Sequence, residues 1–188
     1  MPHRYFKLTD DIYIVGRWEL GEPVDPQGQE VDPWQFTKGS AVHIRERLRV
    51  PIKSPGKPLD FSFTSLATPV VHIKVATLLS ELVSDDVQFV PVDIASQPEQ
   101  FCIFVATRLI RCIDEQRSTE VRYWKPEDGR PEKTGQYRSV YNLRIDPKKV
   151  GEAKVFRTWG WDIALIVSEE IKEALEDIGA TGTKFKEV

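Results

Sequence analysis

The sequence predicts an α+β fold, a single domain in which a mainly antiparallel sheet packs with two principal helices. Three observations carry this expectation. Short apolar runs of strand type outnumber helical stretches. The two helical stretches bracket most of those runs in the chain and do not alternate with them, as they would in a parallel α/β fold. The 188 residues suit one domain, and no linker or internal repeat divides them.

Residues 1–66 read as an irregular, strand-containing N-terminal part, and residues 67–188 as a helix–strand–helix core. Ile12-Tyr13-Ile14-Val15 has the character of a short strand. Gly21 to Pro33 gathers turn residues. From His43 to Val50 the chain alternates: His43, Arg45, Arg47 and Arg49 point one way, and Ile44, Glu46, Leu48 and Val50 the other. Thr68 is placed to cap a first helix. Pro69 suits its first position, and Val71, Val75, Leu78, Leu79 and Leu82 form its apolar face up to Ser84-Asp85. Val87 to Ile94 reads as a strand in which Pro91 marks an edge or a bulge. Phe101 to Thr107 is the apolar run of a buried strand. Its extension through Leu109, Ile110 and Ile113 fits strand or helix equally.

Residues 122–138 read as a long polar loop. Val140 to Ile145 reads as a strand with Tyr141, Leu143 and Ile145 on one face. Val155 to Trp159 and Asp162 to Val167 flank Gly160-Trp161, a two-residue connection suited to a type II′ hairpin. Ser168 caps the second helix, with Glu169 and Glu170 in the first turn where the dipole favours acids. Ile171, Ala174, Leu175 and Ile178 form its buried stripe and Gly179 closes it. A last strand spans Thr183 to Val188.

Composition narrows the chemistry. Twenty-six basic against 29 acidic residues give a net charge of −3, which argues against a generally basic, phosphate-seeking protein. Cys102 and Cys112 lie in apolar surroundings and are expected as reduced, buried thiols of a cytoplasmic protein. No apolar run reaches the roughly 18 residues of a membrane span, and the first residues lack the apolar stretch of a secretory signal. His3, His43 and His72 are scattered, and no C-x-x-C or H-x-x-x-H pair occurs. No metal and no cofactor are therefore expected. Gly-x-Ser-x-Gly and a Gly-rich phosphate loop are also missing, so no catalytic residue is singled out. Asp114 and Ser118 read as a turn that satisfies its own backbone.

Three surface features remain. The Arg45, Arg47, Arg49 stripe is the best feature for an anion or a nucleic acid, but it lacks interleaved aromatic side chains and reads as a solvated face. The outer face of the second helix is acidic. There Glu169, Glu170 and Glu173 are placed to steer a basic partner. The 122–138 loop carries Tyr123, Trp124, Arg130 and Tyr137, side chains of the types that dominate binding energy once an interface buries them.

An ordered series of short motifs then resembles a family. It runs Asp32-Pro33-Trp34-x-Phe36-x-x-Gly39, Leu59-Asp60-Phe61, Pro69-Val70-Val71 and Val87-x-Phe89-Val90-Pro91-Val92. It continues with Ile113-Asp114-x-x-x-Ser118, Val155-Phe156-Arg157, Ile166-Val167-Ser168-Glu169-Glu170-Ile171 and Gly179-Ala180-Thr181-Gly182-x-x-Phe185. From about Asp32 onward the chain is similar to the immunity proteins of bacterial polymorphic toxin systems, a family of myxobacterial type first described as a domain of unknown function. The resemblance implies a small, non-enzymatic, cytoplasmic protein. Such a protein binds a cognate toxin and occludes its active site or substrate path, with no nucleic acid or membrane as partner. It also implies structural roles: Gly182 for backbone geometry, Phe185 for packing, Ser168 for capping, and Arg157 paired with a buried acid such as Asp114. The rival readings are a small hydrolase with an unrecognised site, and an anion or nucleic-acid binder that uses Arg45, Arg47 and Arg49.

Overall fold

The structure is a computed structural model that describes residues 3–188. In chain order the first elements are β1 (Tyr5–Asp10), β2 (Glu19–Leu20), β3 (Leu48–Arg49), β4 (Ile52–Ser54), β5 (Phe61–Phe63), β6 (Pro69–His72) and α1 (Ile73–Val83). There follow β7 (Val87–Asp93), β8 (Phe101–Ala106), β9 (Leu109–Ile110), β10 (Thr119–Tyr123) and β11 (Tyr137–Tyr141). The chain closes with β12 (Val155–Thr158), β13 (Trp161–Ser168), α2 (Glu169–Asp177) and β14 (Thr183–Glu187). The fold is α+β, with two five-stranded, mainly antiparallel sheets and two small two-stranded ones, β2-β4 and β10-β11. The orders in the two larger sheets are β14-β1-β13-β12-β9 and β3-β7-β8-β6-β5. Among the described strands, the parallel ladders are those of the short edge strands β9 and β3.

Strand β8 explains the layering. All six of its residues are buried, because both of its faces are covered. Cys102, Phe104 and Ala106 enter a central core with Phe6, Leu8, Leu165 and Val167 of the other sheet. Both helices bury their stripes there, through Val75 and Leu79 and through Ile171 and Leu175. Phe101, Ile103 and Val105 face a second core, closed by Trp18, Leu20, Phe36, Leu48 and Val50 of the N-terminal region. On the far side of the β14-β1-β13-β12-β9 sheet, Phe156, Ala164 and Ile166 meet a third core built from residues 111–150. A strand with two covered faces must be apolar throughout, which is why β8 and β13 read as continuous runs.

Several local expectations are corrected. Ile12 to Val15 is a turn, not a strand, and Ile12, Tyr13 and Val15 are exposed. The strand of that region is β1, which lies between β13 and β14. The first helix starts at Ile73. Val70 and Val71 pair with Ile103 and Cys102 instead, so the β-branched pair fills the sheet. His72, not Thr68, is the N-cap: its Nδ1 accepts the Lys74 N–H at 3.1 Å. Leu82 stays exposed. Of the alternating segment 43–50 only Leu48–Arg49 is a strand, and Glu46 is exposed.

At Pro91, β7 is in effect an edge strand, since β3 covers only Val92 and Asp93. In the β12–β13 connection Thr158 pairs with Trp161, so the two turn residues are Trp159 and Gly160. The positive φ of +79° falls on Gly160 at the second position, which sets the turn one residue earlier than the type II′ expectation. Ser168 caps α2 as expected, by accepting the Ile171 N–H, but Ile178 is exposed. Cys102 and Cys112 are free and buried, and burial pushes the Cys112 thiol up to about 12.

Candidate functional site

Residues 122–138 form a hairpin, not a plain loop. Tyr123 ends β10, Tyr137 opens β11, and the two pair directly. Their rings lie 5.2 Å apart. Tyr137 is buried in the third core, and its hydroxyl donates to Glu115 Oε1 at 2.6 Å. Tyr123 remains 40% exposed. The Tyr123 hydroxyl, and then that of Tyr137, hold the Glu115 carboxyl below its ordinary range. In return Glu115 raises Tyr123, while Tyr137 is raised first by burial and then by Glu115.

The connection between the two tyrosines is tied to itself. The Trp124 N–H donates to the Gln136 carbonyl at 2.9 Å, and the Gly135 N–H to the Trp124 carbonyl at 3.2 Å. Asp128 accepts the Lys125 N–H at 2.9 Å and binds Arg138 at 2.8 Å. Two cations approach the Trp124 ring, Lys133 at 5.5 Å and Arg138 at 5.2 Å from its centroid. Arg130 pairs only with nearby Glu132, in the open.

Beside the hairpin, Arg111 lies over Trp159 at 4.3 Å. A shallow depression of about 570 Å³ there is lined by Arg111, Glu115, Tyr137 and Lys149, among others. Sequence reasoning missed Arg111, Glu115 and Trp159. Glu115 and Tyr137 are 22 residues apart, and no local pattern joins them.

The structure brings together Tyr123, Trp124 and Tyr137, with Arg130 in the connection between the strands. The acids of α2 are elsewhere. That helix packs into the central core, on the opposite face of the sheet from the third core that seats the hairpin. Glu169 pairs with Arg4 at 2.5 Å and Glu170 with Lys154 at 2.7 Å. Of the three, Glu173 alone has no ion pair among the described residues.

The expected pair of Arg157 and Asp114 does not form. Asp114 sits in its predicted turn, where its carboxylate accepts the Gln116 and Arg117 N–H groups and its carbonyl accepts that of Ser118. Arg157 is fully buried in β12. One of its nitrogens donates to the Ile163 carbonyl at 3.0 Å, and Nε and Nη2 have no partner. Burial pushes its pKa down to about 10, with Asp162 as the opposing charge.

The arginine stripe is partly neutralised, because Arg47 binds Asp93 at 2.7 Å and Gln100 at 2.8 Å. His72 is committed on both nitrogens, to the Lys74 N–H and to Glu99 at 2.5 Å. Among the described residues no three His, Cys, Asp or Glu side chains come together as metal ligands. Among the described residues no helix is long and apolar enough to cross a membrane.

No curated protein matches the sequence. A family model does. The immunity protein family (Imm11) matches residues 40–188, the stretch that carries β3 to β14, both helices and the whole β10–β11 hairpin, and the chain belongs to that family.

Proposed function

We propose that this immunity protein neutralises a cognate bacterial toxin in the cytoplasm by stoichiometric, non-catalytic binding. In this reading it occludes the active site or the substrate path of the toxin, and the β10–β11 hairpin supplies the affinity. The observation that carries the reading is the ordered connection of the hairpin. Trp124 is held at the surface by its own backbone bonds and by Lys133 and Arg138, away from the three cores. A binding element fixed before contact loses little conformational entropy on association. Tyr, Trp and Arg side chains are those that contribute most when an interface desolvates them. The acids of α2 lie on another face. Two of the three already have cations, so their attraction for a basic partner rests chiefly on Glu173.

The test is a titration against a candidate toxin, any toxin-like protein found encoded beside this one. Toxin activity should fall linearly and vanish at one equivalent, with a complex that survives gel filtration. Loss of activity at a small fraction of an equivalent, increasing with time, would instead identify an enzyme.

A further inference from the structure

The outer face of the β14-β1-β13-β12-β9 sheet is covered over only part of its width. Residues 111–150 pack on β12 and β13, and on the start of β1 at Tyr5, through Ile145, Leu143 and their neighbours. Beyond that cover lie the part-buried Lys7 and Thr9 of β1 and the exposed Lys184 and Lys186 of β14. Lys7 lies directly opposite Lys186, and Thr9 opposite Lys184. None of the three lysines has an ion pair among the described residues. The Arg144 guanidinium reaches the Glu187 carbonyl at 3.2 Å and adds a further cation at this edge.

At the end of the same two strands the chain leaves β1 through the Ile12–Val15 turn. Ile12 is 62% exposed, Tyr13 76% and Val15 94%. The Lys184 ammonium lies 4.8 Å from the Tyr13 ring centroid, so the apolar turn and the lysines form one patch. The base of the turn is fixed. The Asp11 N–H donates to the Gly182 carbonyl at 2.8 Å, Lys57 N–H to Gly16 at 2.7 Å, and Arg17 pairs with Asp10 at 2.9 Å.

Lysines on an edge strand block unwanted strand pairing, which would account for Lys184 and Lys186 on β14. It does not account for Lys7 on the interior strand β1, since like charges directly opposite each other destabilise a sheet. Nor does it account for three exposed apolar side chains beside them. We propose that this patch, Lys7, Lys184 and Lys186 with Ile12, Tyr13 and Val15, docks an acidic surface of a protein partner, the toxin. The proposal rests on the immunity reading above. The hairpin is seated on the same outer face of the sheet through Tyr137, so one partner can span both surfaces. A polyanion fits less well, because its phosphates offer nothing to the apolar turn and the chain as a whole carries a net charge of −3.

The experiment measures association kinetics with the toxin identified by the titration above. Lys184→Glu combined with Lys186→Glu should slow association at least about tenfold at low salt, and added salt should narrow the gap. Tyr13→Ala should speed dissociation by a similar factor. Lys186→Glu alone should raise the melting temperature, because it replaces the repulsion against Lys7 with attraction. A complex that forms and lasts as the parent's does in all these variants overturns the docking surface while the immunity reading stands. Parent protein that binds a short DNA duplex, with loss of that binding in the double variant, overturns it in favour of a nucleic acid. If the parent forms no complex with the toxin, the immunity reading itself falls, and this proposal with it.

Discussion

The Asp86 carboxylate accepts the backbone N–H of Lys154 at 2.8 Å, a bond that joins the end of α1 to the start of β12 across 68 residues. The same oxygen lies 3.4 Å from the Val155 N–H, and the other binds Arg108 Nε at 3.0 Å. Asp86 is buried, so water does not replace these contacts when they are lost.

Asp86→Ala should therefore cost about 2–3 kcal/mol, the range for hydrogen bonds to a charged group whose loss leaves donors unpaired. Asp86→Asn keeps one acceptor and should cost less. Urea denaturation, with midpoints compared at constant slope, checks both values.

Arg157 gives the opposite sign. A buried guanidinium with one bond to the Ile163 carbonyl and two unpartnered nitrogens is poorly compensated. Arg157→Met, which fills similar volume without the charge, should be neutral or stabilising by about 1–4 kcal/mol. Arg157→Ala should instead leave a cavity and destabilise. Because Asp114 is bonded within its own turn, changes at Asp114 and Arg157 should add independently in a double-mutant cycle.

The Glu115 carboxyl supplies a pH test. Its pKa is lowered in the folded state, first by Tyr123 and then by Tyr137. The unfolded chain therefore binds the proton more tightly. The contribution of this group is fully present above the ordinary Glu value and is lost as pH falls through the lowered one. Tyr123→Phe should move the Glu115 titration, followed by carboxyl NMR, back towards that ordinary value. Tyr137→Phe, which removes the 2.6 Å hydrogen bond to Glu115, should move it in the same direction. No movement in either variant would mean that the phenols do not hold the carboxylate.

The legible parts of the fold were those in which local pattern and tertiary burial agree. Phe101–Ala106 is apolar on both faces because both are covered, and Ser168 followed by two acids forms the cap it promises. Misreadings arose where distant pairing overrode local preference. Val70 and Val71 are taken by β8, so a helix start suggested by Thr68-Pro69 becomes a strand. Tyr5–Asp10 was missed because Lys7 and Thr9 interrupt its apolar residues, whereas Ile12–Val15 is apolar and yet an exposed turn. In the site, the aromatic residues of the hairpin were readable as types. Glu115 was not, since its position under Tyr137 depends on how residues 111–150 fold onto the sheet.

Gly182 tests a backbone constraint. Its φ is +91°, and a Cβ there would collide with the Phe61 carbonyl, which lies against it between β5 and the start of β14. Neither strain can be relieved by a side-chain rotation. Gly182→Ala should destabilise the protein by more than about 1 kcal/mol, the level at which an incompatible alanine outweighs its entropic advantage. Thermal unfolding followed by circular dichroism would show it as a clear fall in melting temperature.

Trp124 separates binding from folding. The side chain is part-buried but lies in none of the three cores, and Lys133 and Arg138 of its own hairpin approach its ring. Trp124→Ala should leave the melting temperature close to the parent's. If the hairpin is the principal contact with the toxin, the same change removes a large, preordered aromatic surface from the centre of an interface. The cost should be about 2 kcal/mol or more, expressed mainly as faster dissociation because affinity differences within one interface lie mostly in the off-rate. Charge reversal at Glu173 should act differently. It lies on the far side of the sheet, where it can influence only the long-range field, so its effect should be confined to the association rate and should shrink with salt. Surface plasmon resonance at two salt concentrations distinguishes the two. A Trp124→Ala protein that holds the toxin as long as the parent, and protects cells equally well, would exclude the hairpin as the source of affinity.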